Sequence, residues 1–163
     1  MYNIGIITAS DKGAKGERED ISGRVIAEMM MDLGKVQRYV VVADEQEALS
    51  QEMKYMADDI GVDLILTTGG TGLGPRDVTP EATLAVVEKM VPGIAEAMRA
   101  KSMEKTNRAM LSRAVAGIRG RTLIINLPGS PKGVRECLEV VLPALDHGLA
   151  ILRGEANECA RPS

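Results

Sequence analysis

Asp63-Leu-Ile-Leu-Thr67-Thr-Gly-Gly-Thr-Gly72-Leu-Gly-Pro-Arg-Asp77-Val-Thr79-Pro-Glu81 decides the fold. A short apolar run passes straight into Gly69, Gly70, Gly72 and Gly74, and then into Thr79-Pro80-Glu81. The run reads as a buried strand over 63–67. Thr79 is expected to N-cap a helix, with Pro80 at its first position and Glu81 near the positive end of its dipole. Strand, glycine-rich loop and helix form the unit of open parallel sheets, whose ligands lie beyond the carboxyl ends of the strands.

The flanking sequence repeats the alternation. Ile4-Gly-Ile-Ile-Thr8 reads as a strand, and 13–20 as a polar loop. From Ile21, the spacing of Val25, Ile26, Met29, Met30 and Leu33 predicts a helix closed by Gly34. A second strand is expected over 36–43. Leu49, Met53, Met56 and Ile60 mark an amphipathic helix over 45–61, with Asp44 as its N-cap. Beyond the central unit, Pro92-Gly93 punctuates and 94–105 is helical. Two strands over 113–118 and 122–126 meet at Arg119-Gly120-Arg121. The last helix opens at Ser130-Pro131 and carries Leu138, Val141, Leu142, Leu145, Leu149 and Leu152; Pro143 is expected to kink or split it. The pattern predicts an α/β fold: a single three-layer α/β/α sandwich with a mostly parallel sheet over 1–154, and a polar C-terminal tail over 155–163.

Composition narrows the function. The chain has 163 residues, a net charge of -3 and a pI near 5.3, which argues against a general nucleic-acid binder. With no Trp, no Phe and three Tyr, it lacks platforms for stacking bases. Val, Ile, Leu and Met must fill the core, and Met29-Met30-Met31 reads as core filler with one exposed neighbour. Cys137 and Cys159 form no CxxC, and the single His147 has no motif around it for a Ser-His-Asp or multi-His mechanism. The first apolar stretch is too short for a signal peptide or membrane span, so a cytoplasmic protein without a membrane partner is expected.

Two loops carry the chemistry. In the first, Gly69, Gly70, Thr71, Gly72 and Gly74 let successive backbone N–H groups turn toward an anion. The dinucleotide spacing G-x-G-x-x-G fails, because Gly74 follows Gly72 by two and Pro75 by three. The P-loop reading fails too, because Pro75-Arg76 stands where Lys-Ser/Thr is required. A ligand-free glycine turn is the weaker reading, given Arg76 and Asp77 beside a helix start. Asp77 alone fits equally a loop brace or a Mg²⁺ ligand. Asp44, expected at the end of an adjacent strand, makes a shared metal–phosphate site with Asp77 conceivable. In the second loop, Asn126-Leu-Pro128-Gly129-Ser130-Pro131-Lys132-Gly133 presents a helix N-terminus toward the same edge. Arg108, Ser112, Arg113, Arg119 and Arg121 read as a basic region suited to an anionic substrate.

Taken in order, Thr68-Gly-Gly-Thr-Gly72, Arg76-Asp-Val-Thr-Pro-Glu-Ala82, Ser112-Arg-Ala-Val-Ala-Gly117 and Asn126-Leu-Pro-Gly-Ser-Pro-Lys-Gly133 closely resemble the molybdopterin adenylyltransferases, which include the bacterial Mog proteins and the G domains of gephyrin and plant Cnx. The resemblance implies a homotrimer working in molybdenum cofactor biosynthesis. It implies transfer of AMP from ATP to the terminal phosphate of molybdopterin, with Mg²⁺, and contact with a molybdate-inserting protein. It assigns Asp44 and Asp77 to catalysis and metal binding. It places the pterin phosphate on Gly69, Gly70, Thr71, Gly72, Arg76, Thr79, Pro80, Glu81 and Ser112, and the nucleotide on Pro128, Gly129, Ser130, Pro131 and Lys132. The alternative is the MoaB-type branch, some of whose members bind molybdopterin without catalysis and have an altered loop aspartate. Both aspartates are present here. Ala43 stands where the family often has Pro.

Overall fold

A computed structural model describes residues 1–155. The order is β1 (Tyr2–Ala9), α1 (Asp11–Ala14), α2 (Ile21–Met29), β2 (Gly34–Val42), α3 (Gln46–Lys54), a π-helical turn (Tyr55–Ile60), β3 (Leu64–Thr68), α4 (Thr79–Leu84), β4 (Lys89–Met90), α5 (Pro92–Met103), a 3-10 turn (Asn107–Leu111), β5 (Ala116–Arg119), β6 (Thr122–Leu127) and α6 (Pro131–Arg153). One six-stranded sheet has the order β2-β1-β3-β6-β5-β4. The first four strands are parallel, and β5 and β4 add on antiparallel. The three-layer, mostly parallel expectation holds. Residues 156–163, most of the expected polar tail, lie outside the described residues.

The parallel strands are buried on both faces, as such strands must be. Ile4, Ile6, Leu64, Leu66, Leu123 and Ile125 pack against α2, α5 and α6. Ile7, Ile65 and Ile124 pack against α3, α4 and the π-helical turn. Adjacent residues of one strand therefore belong to opposite cores, the two-fold alternation of a strand read in three dimensions. The methionine run divides as expected: Met30 is fully buried and Met31 is 69% exposed. Among the described residues, no helix is long and apolar enough to cross a membrane.

Several local expectations are corrected. Gly34 does not end α2; it opens β2, where a Cβ would collide with the Tyr2 carbonyl. Asp11–Ala14 forms one helical turn inside what reads as loop, capped by Ser10, whose hydroxyl accepts from the Gly13 N–H. Glu45, not Asp44, occupies the cap position of α3 and makes no side-chain cap bond. Val78 precedes α4, so Thr79 is already helical, and its hydroxyl donates to the Gly69 carbonyl instead. Pro143 does not split α6, which continues through it to Arg153. Pro143 and Glu139 are both exposed, on the side of the helix where a carbonyl that lacks its helical donor is least costly. The buried stripe of Leu138, Val141, Leu145 and Leu149 holds the helix together across that point.

Candidate active site

The glycine loop, Asp44, Asp77 and the Pro128–Ser130 loop meet at the carboxyl ends of β1, β2, β3 and β6. β3 delivers Thr68 and then Gly69 and Gly70, whose φ angles of +91° and +69° aim their amides away from the strand path. The loop is tied down on both sides. Gly69 N–H donates to the Leu127 carbonyl at 3.3 Å, and Thr79 N–H donates to the Gly70 carbonyl at 3.1 Å. The Thr68 hydroxyl donates to the Pro128 carbonyl at 2.6 Å, joining the glycine loop to the loop that precedes α6.

The rest of the loop wraps around one carboxylate. Asp77 Oδ2 accepts the Gly74 N–H at 3.0 Å, and a Cβ on Gly72 or Gly74 would sit 3.0 Å from the same oxygen. Arg113 holds the loop from below. Its guanidinium donates to the Gly72 carbonyl, the Asp77 carbonyl and the Glu81 carboxylate. That contact holds the Glu81 carboxyl below its ordinary pKa. Thr79, through the Gly69 carbonyl, and Glu81, through Arg113, thus brace the loop, and neither they nor Pro80 line the two cavities that flank it.

Two cavities flank the loop. The first, about 580 Å³, is lined by Ser10 to Gly13, Arg18 to Ser22, Asp44, Gly69, Gly70, Asp77, Gly129 and Pro131. The second, about 430 Å³, is lined by Thr71, Gly72, Met98, Ser112, Pro128, Ser130, Lys132 and the cations Arg99, Lys105 and Arg108, among others. Glycine loop and α6 start form the ridge between them. Ser130 caps α6, accepting the Gly133 N–H at 3.0 Å, as its sequence predicts.

The structure brings Asp44 and Asp77 together in the first cavity, although β1 separates their strands, so they do not come from neighbouring strands. Asp44 is half-buried, and burial pushes its carboxyl above the ordinary carboxylate range; the nearby Asp11 and Asp77 charges add to that. Ser112 joins the second cavity, and Ser130 and Lys132 lie there beside it. Arg108 and Lys132 make no side-chain bond among the described residues, which leaves both available to an anion. The expected basic cluster does not assemble. Arg119 pairs with Asp58 and donates to the Val86 carbonyl, and Arg121 donates to the Arg153 carbonyl. Both sit at the turn that begins β6, at the opposite edge of the sheet. Arg76, expected on the substrate, is bound by Asp11 through two hydrogen bonds of 3.0 and 2.9 Å.

Sequence reasoning missed the β1–α2 connection, which forms one wall of the first cavity. Asp20 there accepts from the Thr8 hydroxyl at 2.7 Å, the Tyr39 hydroxyl and the Gly23 N–H. Burial, with Asp20 beside it, raises the Tyr39 pKa. The Thr8-Ala9-Ser10-Asp11 run, which ends β1 and leaves it, was the available signal, since it occupies the same edge.

Beneath the ridge lies Asn126, fully buried. Its amide donates to Thr67 Oγ1 at 3.1 Å and Thr83 Oγ1 at 2.9 Å, and its oxygen accepts the Val115 N–H at 3.2 Å. Asn126→Ala strands these partners without water. It is expected to cost about 2–3 kcal/mol, measurable as a lower urea midpoint at unchanged slope.

A three-layer α/β domain with two anion-ready loops on one carboxyl edge, and a carboxylate pair on one side of them, defines a phosphate-handling protein rather than a dinucleotide oxidoreductase. The chain belongs to the family described as "Probable molybdopterin binding domain", whose model matches residues 5–147. It is 46% identical over 155 residues to a molybdopterin adenylyltransferase of Helicobacter pylori strain J99, covering 93% of this chain and 88% of that protein. It is 39% identical over 154 residues to the Escherichia coli K12 molybdopterin adenylyltransferase, covering 93% and 78%. Among solved structures, the molybdopterin biosynthesis enzyme MoaB of Thermus thermophilus superposes with a TM-score of 0.89 at 52% identity, covering 94% of this chain and 98% of that one.

Proposed function

We propose that this protein is a molybdopterin adenylyltransferase of molybdenum cofactor biosynthesis, transferring AMP from ATP to the terminal phosphate of molybdopterin and releasing pyrophosphate. One observation carries the reading: Asp44 and Asp77 share a cavity on one side of the glycine ridge, and a cation-lined cavity opens on the other. The cavities suit two substrates whose phosphates meet over the ridge. Molybdopterin takes the second cavity, its phosphate near Thr71, Gly72, Ser112 and the α6 start. ATP takes the first, beside Gly69, Gly70 and Gly129. This partition differs from the one the resemblance suggests, which gives the nucleotide to Ser130 and Lys132.

The donor set fits Mg²⁺. Among the described residues no cluster of three His, Cys, Asp or Glu could hold a metal alone. Two carboxylates completed by phosphate oxygens and water is the usual arrangement for this ion. Asp44 Oδ2 accepts the Asp11 N–H and Asp77 Oδ2 accepts the Gly74 N–H, so Oδ1 of each remains for a cation. Bound there, Mg²⁺ would supply positive charge to the α-phosphate. The protein's own contribution is positional and electrostatic. The Gly70–Gly72 amides and the α6 N-terminus hold phosphate oxygens, and the two sites align the attacking and leaving oxygens. No general base is required, because a phosphate monoester is largely ionised near neutral pH.

The protein is further proposed to act in the cytoplasm as a homotrimer and to pass its product to a molybdate-inserting protein. The decisive experiment mixes protein, ATP, Mg²⁺ and molybdopterin and follows pyrophosphate and adenylylated pterin. Saturable molybdopterin binding with no pyrophosphate would identify a non-catalytic MoaB-type binder instead.

The raised Asp44 pKa gives a signed prediction. A carboxylate whose folded pKa exceeds its unfolded pKa weakens the fold once pH rises above the unfolded value. Asp44→Asn is therefore expected to melt no lower than wild type at pH 7.5, while the difference fades below pH ~4. Activity has the opposite dependence, since cation binding needs the ionised form. The acid limb of kcat/KM should lie above the ordinary carboxylate range. Differential scanning calorimetry and a pH–rate profile check the two halves.

A further inference from the structure

Asp11 joins three segments that the sequence keeps far apart. Its Oδ1 accepts the Asp44 N–H at 3.0 Å and Arg76 Nη2 at 2.9 Å. Its Oδ2 accepts Arg76 Nε at 3.0 Å. Its own N–H donates to Asp44 Oδ2 at 2.9 Å. Asp11 and Asp44 therefore exchange backbone and carboxylate bonds reciprocally, fixing which Asp44 oxygen turns into the cavity. Arg76 adjoins Asp77, so the same carboxylate also ties down the end of the glycine loop. Asp11 lines the first cavity, yet both its oxygens are already engaged, which sets it apart from Asp44 and Asp77.

We infer that Asp11 is a positioning residue for the AMP transfer, setting the separation of Asp44 and Asp77 through its bonds to Asp44 and Arg76. The inference rests on the proposed adenylyl transfer. A role in stability alone does not account for the arrangement. The Arg76 and Asp11 side chains are 57% and 36% exposed, and ion pairs in that setting add little to folding. A planar guanidinium held by both oxygens of one carboxylate does, however, fix orientation. Partners that orient metal-binding carboxylates commonly change metal affinity or turnover about 10- to 100-fold when lost.

The test compares full-length wild type with Asp11→Asn, Arg76→Gln, Arg76→Lys and the Asp11→Asn/Arg76→Gln double variant. Steady-state kinetics gives kcat and both KM values. Mn²⁺ titration by electron paramagnetic resonance with a non-hydrolysable ATP analogue gives cation affinity. Asp11→Asn should lower kcat about 10- to 100-fold, with each KM within about threefold. Mn²⁺ affinity should fall by a similar factor, and the melting temperature should stay within about 3 °C. Arg76→Gln should reproduce the loss, Arg76→Lys should recover part of it, and the double variant should be no worse than Asp11→Asn. A raised KM at unchanged kcat would make Asp11 a substrate contact and overturn the assignment. So would losses that multiply in the double variant, or a kcat loss that tracks unfolding. If wild type transfers no AMP, the functional reading itself fails; equal Mn²⁺ affinity in wild type and Asp11→Asn then overturns the positioning role separately.

Discussion

Asp77→Asn is expected to lower kcat for AMP transfer about 100-fold or more while molybdopterin affinity stays within about threefold of wild type. The substitution keeps the shape of the loop. Asn retains an oxygen that can accept the Gly74 N–H, and its size suits the space left by Gly72 and Gly74. Arg113 bonds the backbone carbonyl of residue 77, not its side chain, so that anchor also persists. What disappears is one negative charge in the first cavity. Molybdopterin, assigned to the second cavity, should be nearly indifferent to it. The contrast variant is Asp77→Ala, which also leaves the Gly74 N–H unpaired and should loosen the loop. Pyrophosphate release and fluorescence titration with molybdopterin measure the two effects. Near-normal adenylylation by Asp77→Asn would remove Asp77 from the mechanism.

Gly69→Ala is expected to have the largest effect on stability, about 2–5 kcal/mol, which corresponds to roughly 5–15 °C in melting temperature for a chain of this size. Two causes add. The φ of +91° lies where a residue with a Cβ is strained. The new Cβ would also lie 2.5 Å from the Ala9 carbonyl oxygen, which belongs to β1 and has little room to retreat. The Gly69 N–H to Leu127 and the Thr79 hydroxyl to the Gly69 carbonyl would move with it. Gly69 lines the first cavity and leads into Thr71 and Gly72 of the second, so activity should fall with stability. Gly93→Ala is the control: nothing lies near its Cβ position, and its effect should stay within about 1 kcal/mol. Urea denaturation of the pair checks the prediction. Equal stability would mean that the ridge tolerates reshaping.

How much of this was legible depended on how local each cause is. The glycine loop, the Ser130 cap and the helix after it could be read directly, because turn chemistry and capping act over three or four residues. Apart from the short turn capped by Ser10, the failures that bear on the site are non-local. Asp44 matches a cap pattern, but Asp11, 33 positions away, engages its carboxylate first. Thr79 matches another cap pattern, yet its hydroxyl finds Gly69, ten residues back. Arg119 and Arg121 looked like substrate cations because strand direction was not yet fixed. Once β6 runs parallel to β3, its first residues must lie at the edge away from the glycines. Arg76 looked available to substrate because nothing in its own neighbourhood announces Asp11, 65 positions earlier. The aspartate pair was anticipated as sharing one site, but from adjacent strands; the strand order puts β1 between them, and the cavity spans it.

The strand order β2-β1-β3-β6 has a consequence for a chain emerging from the ribosome. β3 sits between β1 and β6, and β6 is the last strand to be made. Until then one long side of β3 has no hydrogen-bonding partner, and the sides of α2 and α5 that α6 will cover are bare. Val134, Leu138, Val141, Leu145 and Leu149 arrive only with the final helix. The nascent protein thus passes through an open half-sheet with sticky apolar faces, the state in which chains of this kind aggregate. It also holds its glycine ridge without the Pro128–Ser130 wall, so neither substrate has a complete seat before synthesis is nearly over. Binding competence and escape from aggregation should therefore appear together, at the docking of one helix.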